Sequence, residues 1–373
     1  MIYLDNSSTT HKKPLSVKLA TLKGVSSLSV NPSRAGHKLA LKGAEKIYNT
    51  REQLANYLGT TPDNVIFTSG CTMALNLAIR GTVQRNGHII TTIFEHNSTL
   101  RTLEALKSTH NIEVSYLTPN KLGQITTNSI TNAIKENTYM IIINHTSNVT
   151  GHTQNIESIG KVCKKHHLLF LVDGAQSVGH HRIDMKKNNI NLLTIAGHKG
   201  LYAPEGIGAL LINNIKVTPL IYGGTGTHSD KLKQPTDYPD GLESGTPNIV
   251  GILGLAAGLN FVTKHEKQIS KKITKLSIFA FDELSKIKNV TLYADKNNGV
   301  ISLSVKGKSS TTISDILDEK YHICTRSGLH CAPLIHKYYN TAKSGLTRIS
   351  ISYFNKKSDI KKLIFAIKKI ALD

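Results

Sequence analysis

Two stretches, LLFLVDGAQ at residues 168–176 and LLTIAGHKG at residues 192–200, decide the fold. Each begins with a five-residue run that suits a buried strand, and the strands deliver Asp173 and Lys199 at their ends. An acid that emerges from a buried strand is costly unless a cation pairs with it. A lysine beside a cleft can have its pKa lowered by burial, which is the condition for forming a Schiff base. The sequence therefore predicts neighbouring strand ends that present an acid and a reactive amine.

Strand-like runs alternate with helix-like stretches around these two segments, from about residue 60 to residue 212. This alternation is typical of βαβ units and predicts a doubly wound α/β body, with a mostly parallel sheet and helices on both faces. Ligands of such sheets bind at the carboxyl ends of the strands. The predicted strands are Val65–Thr68, His88–Thr92, Glu113–Leu117, Tyr139–Asn144, Leu168–Val172, Leu192–Ala196 and Gly208–Ile212, and the predicted helices are Thr72–Arg85, Ser98–Thr109 and Ser158–His166.

The second half of the chain changes character. Residues 223–247 are rich in Gly, Pro and Asp and too many for a simple connector, so we expect a functional or interface loop. A long helix is predicted over residues 251–288, and the remainder indicates a smaller α+β domain. We expect a large domain of residues 15–246 and a small one formed by residues 1–14 and 247–373.

Composition excludes several classes of protein. The 373 residues, 39% of them hydrophobic, are enough for a large core, which excludes disorder and a disulfide scaffold. The spacing of the four cysteines suits free thiols in a reducing compartment. The sequence shows neither a membrane span nor a signal peptide. We therefore expect a soluble, cytoplasmic protein.

The chain is strongly basic, with 46 Lys and Arg against 25 Asp and Glu and a net charge of +21. Such a charge attracts anions, acidic partners or nucleic acid. The densest patches, residues 264–275 and 356–369, alternate with apolar residues at helical spacing, which favours solvated helix faces over a nucleic-acid stripe. Charge alone does not name a function.

Together, the acid and the lysine fit pyridoxal phosphate (PLP), whose ring nitrogen needs a carboxylate and whose aldehyde needs an amine. Taken singly, Asp173 also suits a helix cap and Lys199 a surface lysine. Residues 67–72, FTSGCT, predict a strand, a glycine turn and a helix start that include Cys71 and the Thr72 hydroxyl. Backbone donors at such a start bind phosphate, although plain N-capping has the same pattern. His96, after the strand His88–Thr92, is a candidate for stacking on a flat ring.

A second group of reactive residues lies in the smaller domain, in CTRSGLHCAP at residues 324–333. Cys331 has a neighbouring histidine and a glycine-loosened loop, a setting in which a thiol can be exposed and its thiolate favoured. Arg326 and Arg348 are candidates for bidentate capture of a substrate carboxylate, or for ordinary surface ion pairs. A metal site of Cys324, His330, Cys331 and His336 lacks a paired CxxC, so no metal is predicted.

As an ordered set, these motifs resemble the cysteine desulfurase family, in the class V aminotransferase group of PLP fold type I. The resemblance covers nearly the whole chain, and the RxGxHC form around the cysteine is similar to the SufS-like branch. It rests on YLDNSSTT at Tyr3, NPSRAGH at Asn31, FTSGCTMALN at Phe67, EHNS at Glu95, SNVTG at Ser147, DGAQSVGH at Asp173, AGHKGLYAPEGIG at Ala196, GGTGT at Gly223, ESGTPN at Glu243 and RSGLHCAP at Arg326.

The resemblance implies a role for each candidate residue. Cofactor binding would involve Lys199 as the covalent attachment point, Asp173 at the ring nitrogen, Gln176 at the ring hydroxyl and His96 stacked on the ring. Thr72 and His198 would bind the phosphate with the partner subunit's Thr246, and Cys71 would be a further cofactor-binding residue. Asn148, Arg326 and Arg348 would position the substrate. Cys331 would be the nucleophile, with Lys199 and His96 as the other catalytic residues. Ala196 and Met73 depart from the serine and acidic residue usual in the family.

The implied activity is conversion of L-cysteine to L-alanine, with the sulfur carried as a persulfide on Cys331 to an acceptor, as in iron–sulfur cluster assembly. His330 or the charges of the cofactor would have to raise the thiolate fraction of Cys331. A selenocysteine lyase or another cysteine-sulfur lyase on the same fold is the nearest alternative. A basic RNA-binding or scaffold protein without the chemistry is a remote one. The identity of the acceptor stays open.

Overall fold

A computed structural model describes residues 1–32 and 36–372. Part of the NPSRAGH motif, residues 33–35, lies outside the described residues. The strands are β1 (Ile2–Tyr3), β2 (Val65–Thr68), β3 (His88–Thr92), β4 (Glu113–Leu117), β5 (Thr138–Asn144), β6 (Leu169–Asp173), β7 (Leu192–Ala196), β8 (Gly208–Ile212), β9 (Val290–Tyr293), β10 (Val300–Val305), β11 (Ile323–Cys324) and β12 (Thr347–Ser350).

Ten α-helices are assigned within the described residues, together with two 3-10 turns at Pro62–Asn64 and Asp240–Leu242. The helices are α1 (Leu15–Ser26), α2 (Lys38–Leu58), α3 (Cys71–Gly81), α4 (Asn97–His110), α5 (Thr127–Ala133), α6 (Ile156–Lys165), α7 (Ile249–Leu284), α8 (Ser310–Tyr321), α9 (Pro333–Tyr338) and α10 (Lys357–Leu372).

The central sheet has seven strands in the order β2-β8-β7-β6-β5-β3-β4. All neighbours are parallel except the pairs that involve β8, so the predicted mostly parallel sheet is confirmed. Because β8 runs against both β2 and β7, those two strands point the same way. The carboxyl ends of β2, β5, β6 and β7 therefore meet at one edge of the sheet.

Helices cover both faces of this sheet, as predicted. Alternate residues of one strand enter different buried clusters: Ile143 of β5 packs with α2, α6 and the first half of α7, whereas Ile142 packs with α3 and α4. A strand buried on both faces reads as an unbroken apolar run, which is why the sequence pattern located these strands to within about one residue.

A second, three-stranded antiparallel sheet, β12-β10-β9, packs with α8, α10 and the second half of α7. The parallel pair β1-β11 brings the first residues of the chain beside it. The long helix α7 contributes Ile252 to the first buried cluster and Leu276 to this one. The domain division at residues 246 and 247 stays a prediction.

Element boundaries differ from the sequence-based expectation at several points. The helix predicted over Thr72–Arg85 ends at Gly81, where the Gly81 carbonyl accepts a hydrogen bond from the backbone N–H of Thr218 at 2.9 Å. Residues 223–247 contain only the 3-10 turn, as expected for a loop. Over residues 1–32 and 36–372, no helix is long and apolar enough to cross a membrane.

Candidate active site

A cavity of about 220 Å³ opens at the carboxyl edge of the central sheet. The start of α3 and the residues that follow β3, β5, β6 and β7 line it. Among its lining residues are many of those predicted from sequence: Cys71, Thr72, His96, Asn148, Asp173, Gln176, His198 and Lys199. The two departures from the family pattern, Met73 and Ala196, line it as well.

Asp173, the last residue of β6, is 2% exposed and lies between Asn144 of β5 and Thr194 of β7 in strand register. Its Oδ1 accepts hydrogen bonds from the Ala175 N–H (2.9 Å) and the Cys71 thiol (3.5 Å), and its Oδ2 accepts one from Asn144 Nδ2 (3.5 Å). We expected a cation beside this acid; the donors described within hydrogen-bond distance are neutral instead.

The Cys71 thiol is suited to its place beside this carboxylate. Burial raises its pKa well above the ordinary value, and the charge of Asp173 adds to the increase. The thiol therefore stays protonated at neutral pH and acts as a weak donor. It also lies 3.4 Å from Thr194 Oγ1, which fixes its position.

Lys199 follows β7 on the adjacent part of the cavity wall. Burial lowers the pKa of its ammonium; Cys71 and Asp173 oppose this, and Arg348 and Arg326 reinforce it. A lowered pKa increases the neutral amine that can act as a nucleophile or base. Lys199 is therefore a partly buried residue of the cavity wall, and its role as the reactive amine stays a prediction.

The first turn of α3 is suited to an anion. Its N-cap residue is Gly70, so no side chain caps the helix, and the first turn contains no acidic residue. Its unpaired backbone N–H groups and the helix dipole favour negative charge. The Thr72 hydroxyl lies 2.8 Å from Ser98 Oγ, and the buried Nδ1 of His198 has no partner among the described residues. These groups provide the donors that a phosphate requires.

His96 is the N-cap of α4. Its Nδ1 accepts from the backbone N–H of Ser98 at 3.1 Å and lies 2.9 Å from Ser98 Oγ. Burial, followed by the Lys199 charge, lowers the pKa of His96 to about 4. The ring is therefore neutral at physiological pH, and its orientation is fixed by α4.

Glu95, immediately before His96, is fully buried. Its Oε1 accepts from Thr92 Oγ1 (2.9 Å) and from the Asn144 N–H (2.8 Å), whereas its Oε2 has no partner among the described residues. Burial raises its pKa to about 8. A neutral carboxyl group thus holds the end of β5 beside Asp173.

The Cys331 loop meets the rim of this cavity. The Asn97 N–H donates to the Cys331 carbonyl at 2.6 Å, and the cavity-lining Asn148 donates through Nδ2 to the His330 carbonyl at 2.7 Å. Gly328, His330 and Cys331 all have positive φ, at +102°, +50° and +57°. For the two non-glycine residues this conformation is strained, so surrounding contacts must maintain it.

The expectation that His330 raises the thiolate fraction of Cys331 is wrong. His330 is 2% exposed, its Nε2 is bonded to the Leu346 carbonyl (3.0 Å), and burial lowers its pKa to about 2. It is uncharged and held by a neighbouring backbone. The cation near the sulfur is Arg326, whose Nη2 lies 3.8 Å from Cys331 Sγ.

Arg348 is not a surface ion pair, because it is 1% exposed. Its Nη2 donates to Asp5 Oδ1 (2.7 Å) and Ser8 Oγ (2.8 Å), and its Nη1 donates to the Asn148 carbonyl (3.1 Å). Arg326 donates through Nη1 to the same Ser8 hydroxyl at 3.0 Å. The two predicted arginines are therefore joined through the start of the chain.

The last two predicted residues are Gln176, which lines the 220 Å³ cavity, and Thr246, which does not. Gln176 donates through Nε2 to the Ser7 carbonyl at 3.0 Å. Thr246 lines a different cavity, of about 590 Å³, between α2 and residues 221–248. The two cavities share Ser69 and Met73 as lining residues.

Sequence reasoning assigned no role to Asp5, Ser8, Ser98 or Asn144. Two signals were present: Asn144 ends a predicted strand, and Ser98 belongs to the EHNS motif. Asp5 and Ser8 belong to the YLDNSSTT motif, but nothing local connects them with residues more than 300 positions away.

A cavity at the carboxyl edge of a mostly parallel sheet, lined by a lysine, a buried acid and an uncapped helix start, is the arrangement expected of PLP fold type I. The chain belongs to the aminotransferase class-V family, whose profile matches residues 2–363. Members of this family generally depend on PLP.

Known relatives are cysteine desulfurases. A probable cysteine desulfurase of Borreliella burgdorferi is 34% identical, over 99% of this chain and 92% of the relative. The apo structure of the cysteine desulfurase of Thermococcus onnurineus NA1 superposes with a TM-score of 0.92 at 28% identity, over 100% of this chain and 94% of that one. The cysteine desulfurase CsdA of Escherichia coli gives 0.89 at 25% identity, over 99% and 94%.

Proposed function

We propose that the chain is a PLP-dependent cysteine desulfurase that converts L-cysteine to L-alanine and carries the sulfur as a persulfide on Cys331. One observation supports this most strongly: the Cys331 loop is bonded to Asn97 and Asn148 at the rim of the cavity that contains Lys199. These two hydrogen bonds hold the backbone of the cysteine loop next to the cavity that Lys199 lines.

The lining residues fit PLP by their chemistry. Asp173 would hold the ring nitrogen, Gln176 the ring hydroxyl and His96 the ring face, with Lys199 as the covalent attachment point. Thr72, His198 and the uncapped start of α3 would hold the phosphate, and the unpartnered Nδ1 of His198 supports this. When bound, PLP acts as an electron sink for the substrate α-carbon.

The chain's own residues then handle protons and sulfur. Lys199, as a neutral amine, takes the substrate α-proton and returns one to the product. The Cys331 thiolate attacks the substrate sulfur, so that the new S–S bond forms as the substrate C–S bond breaks. The net reaction is cysteine plus protein thiol giving alanine plus protein persulfide. Arg326 lies beside the attacking sulfur, its Nη2 3.8 Å from Cys331 Sγ, and Asn148 and Arg348 hold the carboxylate.

The test uses protein loaded with PLP and given L-cysteine. Wild type should form alanine and gain one sulfur atom on Cys331, as seen by mass analysis of the peptide. Cys331→Ser should lose steady-state turnover while keeping the visible absorbance of the cofactor, and Lys199→Ala should lose that absorbance. Cys163→Ser is the matched control, because Cys163 is buried in α6 away from the cavity.

Undiminished alanine formation by Cys331→Ser would contradict the persulfide role. Faster release of selenide from L-selenocysteine than of sulfide from L-cysteine would favour the lyase alternative. Absence of cofactor absorbance in wild type, together with salt-dependent RNA binding, would favour the RNA-binding alternative.

We further propose a homodimer in which Thr246 completes the phosphate site of the partner. In support, Thr246 lines the 590 Å³ cavity rather than the 220 Å³ one, and that larger cavity includes Tyr48 and Ile221, which are 51% and 53% exposed. A hybrid of Thr246→Ala and Lys199→Ala subunits tests this. It should regain one tight PLP site, whereas a threonine acting within its own chain would leave the hybrid without one.

The charge and the cysteines of the chain support proposals for the sulfur acceptor and the compartment. A net charge of +21 favours an acidic acceptor protein, whose association would be salt-dependent. The four cysteines are free thiols, which suits the cytoplasm. Transfer of labelled sulfur to candidate acceptors at low and high salt would test the first point.

A further inference from the structure

The Ser8 hydroxyl forms hydrogen bonds with three charged side chains. It donates to Asp5 Oδ1 at 2.8 Å and accepts from Arg348 Nη2 at 2.8 Å and Arg326 Nη1 at 3.0 Å. A hydroxyl has one hydrogen to donate and two lone pairs with which to accept. All three are therefore in use, and no capacity is left for a ligand.

The Nη2 atom of Arg348 also donates both of its hydrogens to groups of the protein. A guanidinium can clamp a carboxylate with two parallel hydrogen bonds along its Nε–Nη2 edge or its Nη1–Nη2 edge. Each edge uses one of the two Nη2 hydrogens. Asp5 and Ser8 accept from this Nη2 at 2.7 and 2.8 Å, so both edges are occupied in part.

The remaining donor of one edge is idle. Arg348 Nε is buried and has no hydrogen-bond partner among the described residues. A buried donor without a partner is unfavourable, and its presence indicates that this edge is meant for an acceptor. A carboxylate approaching Nε would complete a bidentate pair as soon as the adjacent Nη2 hydrogen is released.

We propose that Ser8 competes with the substrate carboxylate for Arg348, and so sets the affinity for L-cysteine. Of the two groups on Nη2, the neutral Ser8 hydroxyl yields more readily than the charged Asp5, because bonds between ionised groups are the stronger ones. Its displacement also frees Arg326 Nη1. The inference rests on the proposed function and identifies Ser8 as a specificity-determining residue.

The decisive variant is Ser8→Ala, which removes the competing acceptor. The KM for L-cysteine should fall about fivefold with kcat nearly unchanged, the effect expected when the free enzyme loses a hydrogen bond that substrate must otherwise displace. Ser8→Cys keeps most of the side-chain volume but accepts weakly, so it should change KM in the same direction. Circular dichroism checks that both variants fold.

Binding provides a readout that is independent of turnover. Calorimetric titration of the PLP-loaded protein with 3-mercaptopropionate, which has the carboxylate but no amine, should show a dissociation constant about fivefold lower in Ser8→Ala. Cysteamine, which lacks the carboxylate, should bind both proteins equally. Thr9→Ala is the matched control, because the Thr9 hydroxyl donates to Glu205 at 2.7 Å and not to the arginines.

Weaker or unchanged binding of 3-mercaptopropionate by Ser8→Ala and Ser8→Cys would overturn the inference, since Ser8 would then only position the arginines. Equal gains for cysteamine would overturn it too, because the carboxylate would not be the group that competes. Failure of the proposed function has a different signature, which is absence of alanine formation in wild type. The binding comparison still decides the role of Ser8 in that case.

Discussion

The residue with the most demanding surroundings is Arg348, a cation 1% exposed. Burial lowers its pKa, and the nearby Asp5 opposes that decrease. Because a charge without a partner inside a protein is costly, Asp5 is required for stability as well as for the arrangement around Ser8. The ion pair is 2.7 Å long, and only 18% of the Asp5 side chain is exposed.

Asp5→Asn should lower the free energy of unfolding by about 3 kcal/mol, since it leaves the guanidinium buried without its countercharge. Urea denaturation at neutral pH measures this. Glu157→Gln is the matched control: it also neutralises a carboxylate, but its partner Lys161 at 2.6 Å is exposed, so no resolvable change is expected. Equal effects of the two substitutions would contradict the prediction.

At this scale, sequence could predict where Asp173 and Lys199 lie, because Asp173 ends one apolar strand and Lys199 closely follows the next. It could not predict that Asp5 and Ser8 bind Arg348, since these contacts join residues 343 and 340 positions apart. They exist because β1 pairs with β11 and Asp5 bridges to Ser350. The prediction that His330 acts on Cys331 is wrong for a related reason, because adjacency in sequence does not determine the direction of a side chain.

Among the elements, the Cys331 loop depends on few contacts for its strained conformation. Asn148→Ala removes the 2.7 Å bond to the His330 carbonyl. We expect Cys331 to react with iodoacetamide up to about tenfold faster in this variant, because one hydrogen bond of about 1.4 kcal/mol then no longer restrains the loop. Peptide mass analysis identifies the labelled cysteine.

The matched control is Asn155→Ala, which removes a hydrogen bond from the start of α6 instead. Its Cys331 should react at the wild-type rate. If Asn148→Ala also reacts at that rate, the other contacts of the loop suffice to hold it.

The turn between β3 and α4 carries a carboxyl group whose pKa burial raises from 4.5 to about 8. Folded protein therefore keeps a proton on Glu95 that the unfolded chain loses, and stability falls as pH rises through this window. The slope is about 1.4 kcal/mol per pH unit. Glu95→Gln has no such proton, so its stability relative to wild type should increase between pH 5 and pH 8.

Urea denaturation of Glu95→Gln and wild type at those two pH values checks this. Glu157→Gln serves as the control, because the pKa of the exposed Glu157 is lowered by Lys161 rather than raised. Parallel stability curves for Glu95→Gln and wild type would show that Glu95 is ionised in the folded protein.

The elements themselves were the most predictable level of the structure. The strands β3, β7 and β8 have the predicted bounds, because runs buried on both faces carry a purely local signal; β2 and the partly exposed β4 also have the predicted bounds. Helix ends were less predictable: Gly81 stops α3 through a contact with Thr218, a residue distant in sequence. Nor could sequence predict the positive φ values of His330 and Cys331, which long-range contacts impose.

For the whole molecule, buried histidines set the response to acid. Burial lowers the pKa of His145 to about 3, and those of His180 and His336 to about 4, from an ordinary 6.5. The unfolded chain binds these protons first, so stability should fall as pH drops from 6.5 towards 4, by about 1.4 kcal/mol per pH unit for each histidine. Urea denaturation across this range measures the slope.

Replacing one of these side chains separates their contributions. His145→Gln should make the acid slope about 1.4 kcal/mol per pH unit shallower. His228→Gln, an exposed histidine in the loop of residues 223–247, should leave the slope unchanged. An identical slope in both variants would mean that other groups cause the acid sensitivity.

The helix α7 runs for 36 residues, about 54 Å at 1.5 Å per residue, and contributes side chains to two buried clusters, one against the central sheet and one against the three-stranded sheet. If either cluster unfolds, α7 exposes the apolar side chains along about half of its length to water. The unfolding of one cluster therefore destabilises the other. On heating we expect a single calorimetric peak rather than two.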